Sequence, residues 1–69
     1  MSKYIVSDPK IMGGVPVVAG TRIPAKRILY LFRDGYTIEA IHEDYPQLSV
    51  ELISKVIDEI VQNLEANRA

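Results

Sequence analysis

The hydrophobic pattern of this 69-residue chain changes its period at one segment, Gly20-Thr21-Arg22-Ile23-Pro24. The residues before it form short apolar runs broken by glycine and proline, whereas the residues after it repeat with helical spacing. Pro24 suits a first helical turn, because its missing N–H would have no partner there. Gly35 is placed to end the same helix in a left-handed conformation. The pattern therefore predicts a single domain, with an extended or β arm over residues 1–23 and a three-helix unit over residues 24–69.

Three amphipathic helices are predicted after this segment. Thr37 and Ser49 are suitable N-caps for the second and third helices, and Pro46 ends the second. The third helix begins at Val50 and keeps the 3.6-residue period, and the extra apolar positions Val50, Leu52 and Val61 widen its stripe as an interface would. In the first helix, four residues at i, i+3, i+4 and i+7 are predicted to face the core: Ala25, Ile28, Leu29 and Phe32.

The N-terminal part predicts a short strand at residues 4–6 and a hairpin or sharp bend at Gly13-Gly14. The next run is apolar on both of its faces, which requires cover on both sides. We expect a second copy to supply that cover, so Val15, Val17 and Val18 are predicted to lie at a dimer interface. The alternative is that this run lies across its own helices as an irregular arm.

The size of the chain also favours a homodimer. A core of this size supplies roughly 3–5 kcal/mol, and without cysteine no disulfide can add to it. The sequence has neither an apolar run of about 20 residues nor a secretory leader pattern. A cytoplasmic protein that does not enter a membrane is expected.

Charge is divided between the two halves. Residues 1–33 carry six basic side chains and one acidic, whereas residues 34–69 carry eight acidic and two basic. This asymmetry predicts a charged partner at the basic end, or two halves that neutralise each other. The helical layout is typical of a helix-turn-helix DNA-binding unit, although a packing unit that does not touch DNA fits equally well. If DNA is bound, the candidate contacts are Arg22, Lys26, Arg27, Gln47, Ser49 and Lys55.

Catalysis is not indicated. His42 is the sole histidine, and no nucleophile has a base beside it in the sequence. The glycines lack the spacing and the lysine of a phosphate-binding loop. The prediction is a protein without catalytic residues, metal or cofactor.

The pattern as a whole resembles the family of small bacterial proteins known as domain of unknown function 433. The resemblance rests on Gly13-Gly14, Pro16-Val17, the segment Gly20-Thr21-Arg22-Ile23-Pro24, and the later turn Tyr45-Pro46 with Leu48-Ser49. It extends from about Tyr4 to Leu64. The residues that carry over as the core of the family motif are Gly20, Thr21, Arg22 and Pro24.

This resemblance implies a homeodomain-like helical fold. It also implies an antitoxin that neutralises a toxin resembling a PIN-domain ribonuclease and regulates its own operator. Such a toxin would have a basic nucleic-acid groove, which the acidic second half of this chain would suit. The alternatives are a DNA-binding repressor without a toxin and a structural dimerisation module.

Overall fold

The computed structural model describes residues 4–66, which form a small antiparallel sheet followed by three helices. The strands are β1 (Ile5–Val6) and β2 (Val17–Val18), and the helices are α1 (Ala25–Arg33), α2 (Ile38–Asp44) and α3 (Val50–Ala66). The predicted mainly helical fold with a short N-terminal β element is confirmed. No helix in residues 4–66 is long and apolar enough to cross a bilayer.

The predicted helix ends are present, because each depends on local chemistry. The Thr37 hydroxyl accepts a hydrogen bond from the Ala40 N–H at 3.1 Å, and this bond caps α2. In the same way, the Ser49 hydroxyl accepts from the Leu52 N–H at 3.0 Å and caps α3. Gly35 ends α1 with a φ of +100°. Pro24 is extended, with φ −61° and ψ 133°, so it is the last residue before α1 and not the first residue within it.

The two strands pair across a longer connection than predicted. Ile5 lies opposite Val18 and Val6 lies opposite Val17. The sharp bend at Gly13-Gly14, one of the two predicted alternatives, is confirmed as a 3₁₀ turn (Met12–Gly14), and it lies within the wider loop between β1 and β2 instead of forming a two-residue hairpin turn. A two-residue hairpin needs at most two positive φ angles, whereas φ is positive at three successive residues here.

The core contains most of the large aliphatic side chains of the helices together with both residues of β2. Val17 and Val18 are both 0% exposed within a single chain. The prediction that these two valines meet a second copy is therefore wrong, because their own chain already covers them. Val15, the third predicted interface residue, is half-buried.

The predicted core face of α1 is correct at Ala25 and Ile28 and wrong at Phe32, which is 43% exposed. Leu31 packs against the core instead, and Leu29 is half-buried outside the core cluster. Contacts at Ala25, Ile28 and Leu31 are spaced by three residues, and three residues turn a helix by about 300°. The contact line therefore drifts around α1 and leaves Phe32 to one side.

Candidate functional site

The segment Gly20-Thr21-Arg22-Ile23-Pro24 forms the turn that joins β2 to α1. Gly20 takes a φ of +80°, which a residue with a Cβ adopts only with strain. The Thr21 hydroxyl donates to the Val18 carbonyl at 2.8 Å and accepts from the Ile23 N–H at 3.0 Å. This hydroxyl therefore closes the turn at both of its ends.

Backbone bonds fix the same turn against the sheet and the helix. The Val18 N–H donates to the Ile23 carbonyl at 2.9 Å, and the Ala25 N–H donates to the Pro16 carbonyl at 3.0 Å. The Ile23 side chain packs against the core. Arg22, in contrast, is exposed. Four residues of the motif thus build the turn, and the Arg22 side chain is left available to a partner.

Arg22 and Gln47 line the same surface depression, of about 470 Å³. The sequence separates these residues by two helices, and the fold brings them together beside Val6 and Ile11. The depression thus combines a guanidinium and an amide, both suited to phosphate or carboxylate groups, with an apolar wall. Of the six residues predicted to contact DNA, Arg22 and Gln47 are thus brought together by the fold.

Lys26 and Arg27 line a second hollow, of about 230 Å³, on the outer side of α1. Tyr30 and Leu31 complete its wall, and both cations are exposed. Among residues 4–63, neither cation forms a salt bridge. Their charge is therefore available to an anionic partner.

Ser49 and Lys55 lie together in a third place, beside Glu51 at the start of α3. The Ser49 hydroxyl already caps the helix, and Lys55 also borders Asp58 and Glu59. Carboxylates on both sides of Lys55 offset its charge toward phosphate. The structure thus separates the six predicted DNA contacts into three pairs and leaves this pair in acidic surroundings.

The turn between α2 and α3 is braced by the histidine. The His42 ring Nδ1 donates to the Leu48 carbonyl, and the Leu48 side chain is buried in the core. The Leu48 N–H in turn donates to the Tyr45 carbonyl at 2.9 Å. His42 therefore has a structural role, and the described residues hold no cluster of three or more potential metal ligands.

Three exposed aromatic side chains near the end of α1 were not predicted as functional residues. Tyr30, Phe32 and Tyr36 are 47%, 43% and 44% exposed. The Arg33 guanidinium lies over the Tyr30 ring, 5.1 Å from its centroid. Exposed aromatic and arginine side chains are enriched in protein interfaces. The available signal was the density of aromatics between residues 30 and 36 of an otherwise aromatic-poor chain.

Comparison with known proteins identifies relatives of this chain. Residues 5–59 match the model of a family described as "Protein of unknown function (DUF433)". The uncharacterized protein y4eO of Sinorhizobium fredii is 39% identical over 51 residues, which cover 74% of this chain and 23% of that protein. The crystal structure of a DUF433 member from Anabaena variabilis superimposes with a TM-score of 0.77 and 26% identity.

The superposition covers 94% of this chain and 64% of the Anabaena protein. This chain thus spans under a quarter of the curated relative and under two thirds of the solved one. The matched segment contains the β2–α1 turn, Arg22 and Gln47. Since the family match covers most of its length, this chain belongs to the DUF433 family of proteins of unknown function.

Proposed function

We propose that this protein is a non-enzymatic antitoxin that binds and neutralises a ribonuclease toxin resembling a PIN domain. The observation that carries the proposal is the exposed acidic surface of α2, which presents Glu39, Glu43 and Asp44. Among residues 4–63, none of these carboxylates forms a salt bridge.

An acidic helical surface of this kind suits a ribonuclease on electrostatic grounds. A nuclease that binds RNA needs a basic groove for the phosphates, and most of its affinity for nucleic acid comes from those charges. Carboxylates fixed on a folded helix offer the same charge without a cleavable backbone. Complementary potentials also raise the rate of association and disfavour wrong partners. The protein would therefore occupy the groove and exclude RNA from it.

The test is binding to the product of the adjacent gene, followed by the effect on RNA cleavage. Glu43→Gln/Asp44→Asn removes two negative charges from the end of α2, where the helix dipole does not require them. We expect the affinity to fall at least about tenfold, since charged pairs across an interface each contribute on the order of 1 kcal/mol or more. Binding should be measured by titration calorimetry, and inhibition by cleavage of a labelled RNA.

The matched control is Gln62→Lys/Asn63→Lys. It changes the net charge by the same amount, at exposed positions near the C-terminal end of α3 and away from α2 in the sequence. It should bind as the unmodified protein does. Equal weakening by both variants would mean that only net charge matters and would contradict an α2 docking surface. Absence of any complex with the unmodified protein would remove the antitoxin proposal.

Control of its own operator is the second part of the proposal, and the three exposed cations around the β2–α1 turn support it. Arg22 shares a depression with Gln47, and Lys26 shares one with Arg27. Both hypotheses, the antitoxin and the repressor without a toxin, use this surface to bind operator DNA. A protein that acts only as a repressor would bind the operator and not the toxin.

Replacing Arg22, Lys26 and Arg27 together by alanine should weaken binding to the DNA upstream of the gene. The slope of log affinity against log salt concentration is negative, and each lost phosphate contact makes it less steep by about 0.9. Fluorescence anisotropy over a salt series measures both effects. Lys55→Ala is the control, because its acidic neighbours make it a poor phosphate ligand. A slope that is the same in the triple variant and the unmodified protein would contradict this surface.

A further inference from the structure

We propose that two copies of this chain pair through antiparallel contacts between α1 of one copy and α3 of the other. The contact surfaces are an outer stripe on α1 (Leu29 and Phe32, with Ala25 at its buried edge) and an outer stripe on α3 (Val50, Ser54 and Val61, with Ile57 at its buried edge). This inference does not depend on the antitoxin proposal, since the pairing involves this protein alone.

The outer stripe of α3 borders its core face and shares Ile57 with it, since Ile57 is 6% exposed and belongs to the core cluster. Its residues are separated by four, three and four positions, which is the spacing of a coiled-coil seam. Val50 and Val61, at its two ends, are 38% and 43% exposed. Ser54 lies at its middle and is small enough for close approach of another helix. The core face of the same helix, with Ile53 and Val56, is fully covered.

The outer stripe of α1 has the same spacing. Ala25, Leu29 and Phe32 are separated by four and three positions, and Ala25, which is 4% exposed, is the residue that this stripe shares with the buried face of α1. Phe32 is 43% exposed, and neither Leu29 nor Phe32 belongs to the core cluster. An exposed phenylalanine is a strong candidate for the centre of an interface, because its burial removes a large apolar area from water.

The charges beside the two stripes are complementary. On α1, Lys26 and Arg33 follow stripe residues directly and lie seven positions apart. On α3, Glu51 and Asp58 follow stripe residues in the same way and at the same spacing. All four are exposed, and none forms a salt bridge within the described part of the chain. The same flank of each helix is thus basic on α1 and acidic on α3.

This arrangement determines the partner and the orientation. When two helices pack antiparallel, the same flank of each one faces the other, so the basic flank of α1 meets the acidic flank of α3. Pairing of α3 with a second α3 would bring Glu51 and Asp58 against carboxylates and would be repelled. A second copy supplies the required basic apolar helix. The two contacts, α1 with α3 and α3 with α1, make the interface isologous.

Sedimentation velocity of charge-reversal variants tests this pairing. Lys26→Glu/Arg33→Glu places acidic flanks on both helices, and Glu51→Lys/Asp58→Lys places basic flanks on both. We expect each variant alone to dissociate, with the dimer Kd raised on the order of tenfold to a hundredfold. An equimolar mixture should form a heterodimer, because each charged flank then faces a flank of opposite charge on the other variant. The four substitutions in one chain should restore the homodimer.

Two further variants complete the design. Phe32→Ser/Val61→Ser alters exposed side chains only and should dissociate the dimer even if a charge variant fails to fold. Lys10→Glu reverses an exposed charge outside both stripes and should leave the dimer unchanged. A monomeric unmodified protein at micromolar concentration would overturn the proposal. Dissociation by only one of the two charge-reversal variants would mean that the two charged flanks do not face each other and would also overturn it.

Discussion

Replacement of Ile53 by alanine is expected to lower the free energy of unfolding by about 2–5 kcal/mol. Ile53 is 0% exposed and belongs to the core cluster shared by all three helices and β2. Alanine would remove three carbon atoms and leave a cavity that a helix packed on both sides cannot close. A core of this size supplies only roughly 3–5 kcal/mol, so the variant is expected to be largely unfolded. Urea denaturation followed by circular dichroism measures the loss.

Two substitutions on the same helix calibrate this result. Ile53→Val removes one methyl group and should cost about 0.5–1.5 kcal/mol. Gln62→Ala changes an exposed side chain and should stay within about 0.5 kcal/mol of the unmodified protein. All three should be measured at equal protein concentration, because the proposed dimerisation would add a concentration-dependent stability. If Ile53→Ala and Gln62→Ala unfold at the same urea concentration, Ile53 is not at the centre of the core.

Replacement of Thr21 by valine is expected to cost about 1–3 kcal/mol, although the two side chains have nearly the same shape. Valine cannot accept from the Ile23 N–H, which then has no partner in the turn. The Val18 carbonyl still accepts from the Thr21 N–H at 3.0 Å, so its loss is smaller. Thermal unfolding monitored by circular dichroism would show the change as a lower Tm.

Thr21→Ser keeps the hydroxyl and should recover most of that loss. Arg22→Ala changes the next residue in the chain, whose side chain is exposed. It should leave the Tm unchanged and act only on binding. Together the three variants separate the residue that closes the turn from the residue that the turn presents. Equal destabilisation by serine and valine would contradict a role for the hydroxyl.

The parts of the fold that local chemistry determines could be predicted from the sequence. The caps at Thr37 and Ser49 and the left-handed Gly35 each depend on one side chain or one backbone angle within a few residues of it. Element type followed from the hydrophobic period in the same way. These features need no knowledge of which elements meet in space.

The errors arose where packing between distant elements decides the outcome. Period alone placed Phe32 in the core, but the way in which α1 packs against the core selects Leu31. Composition suggested that a small chain cannot cover two apolar faces of one strand, but Val17 and Val18 are covered by their own chain. The same limit applied to the site. Sequence could identify Arg22 and Gln47 separately, but only the fold shows that they line one depression.

The pairing of β1 has a consequence for local opening of the structure. β1 is two residues long, and its end is joined to the rest by the bond from the Ala19 N–H to the Tyr4 carbonyl at 2.8 Å. The turn from β2 to α1 is closed by separate bonds that do not involve β1. The hydrogen bonds of that turn therefore do not depend on β1, and we expect local opening of β1 to cost less free energy than opening of the turn. Opening of β1 would remove its backbone pairing with β2, whereas Val18 would keep its contacts with the core residues of the helices.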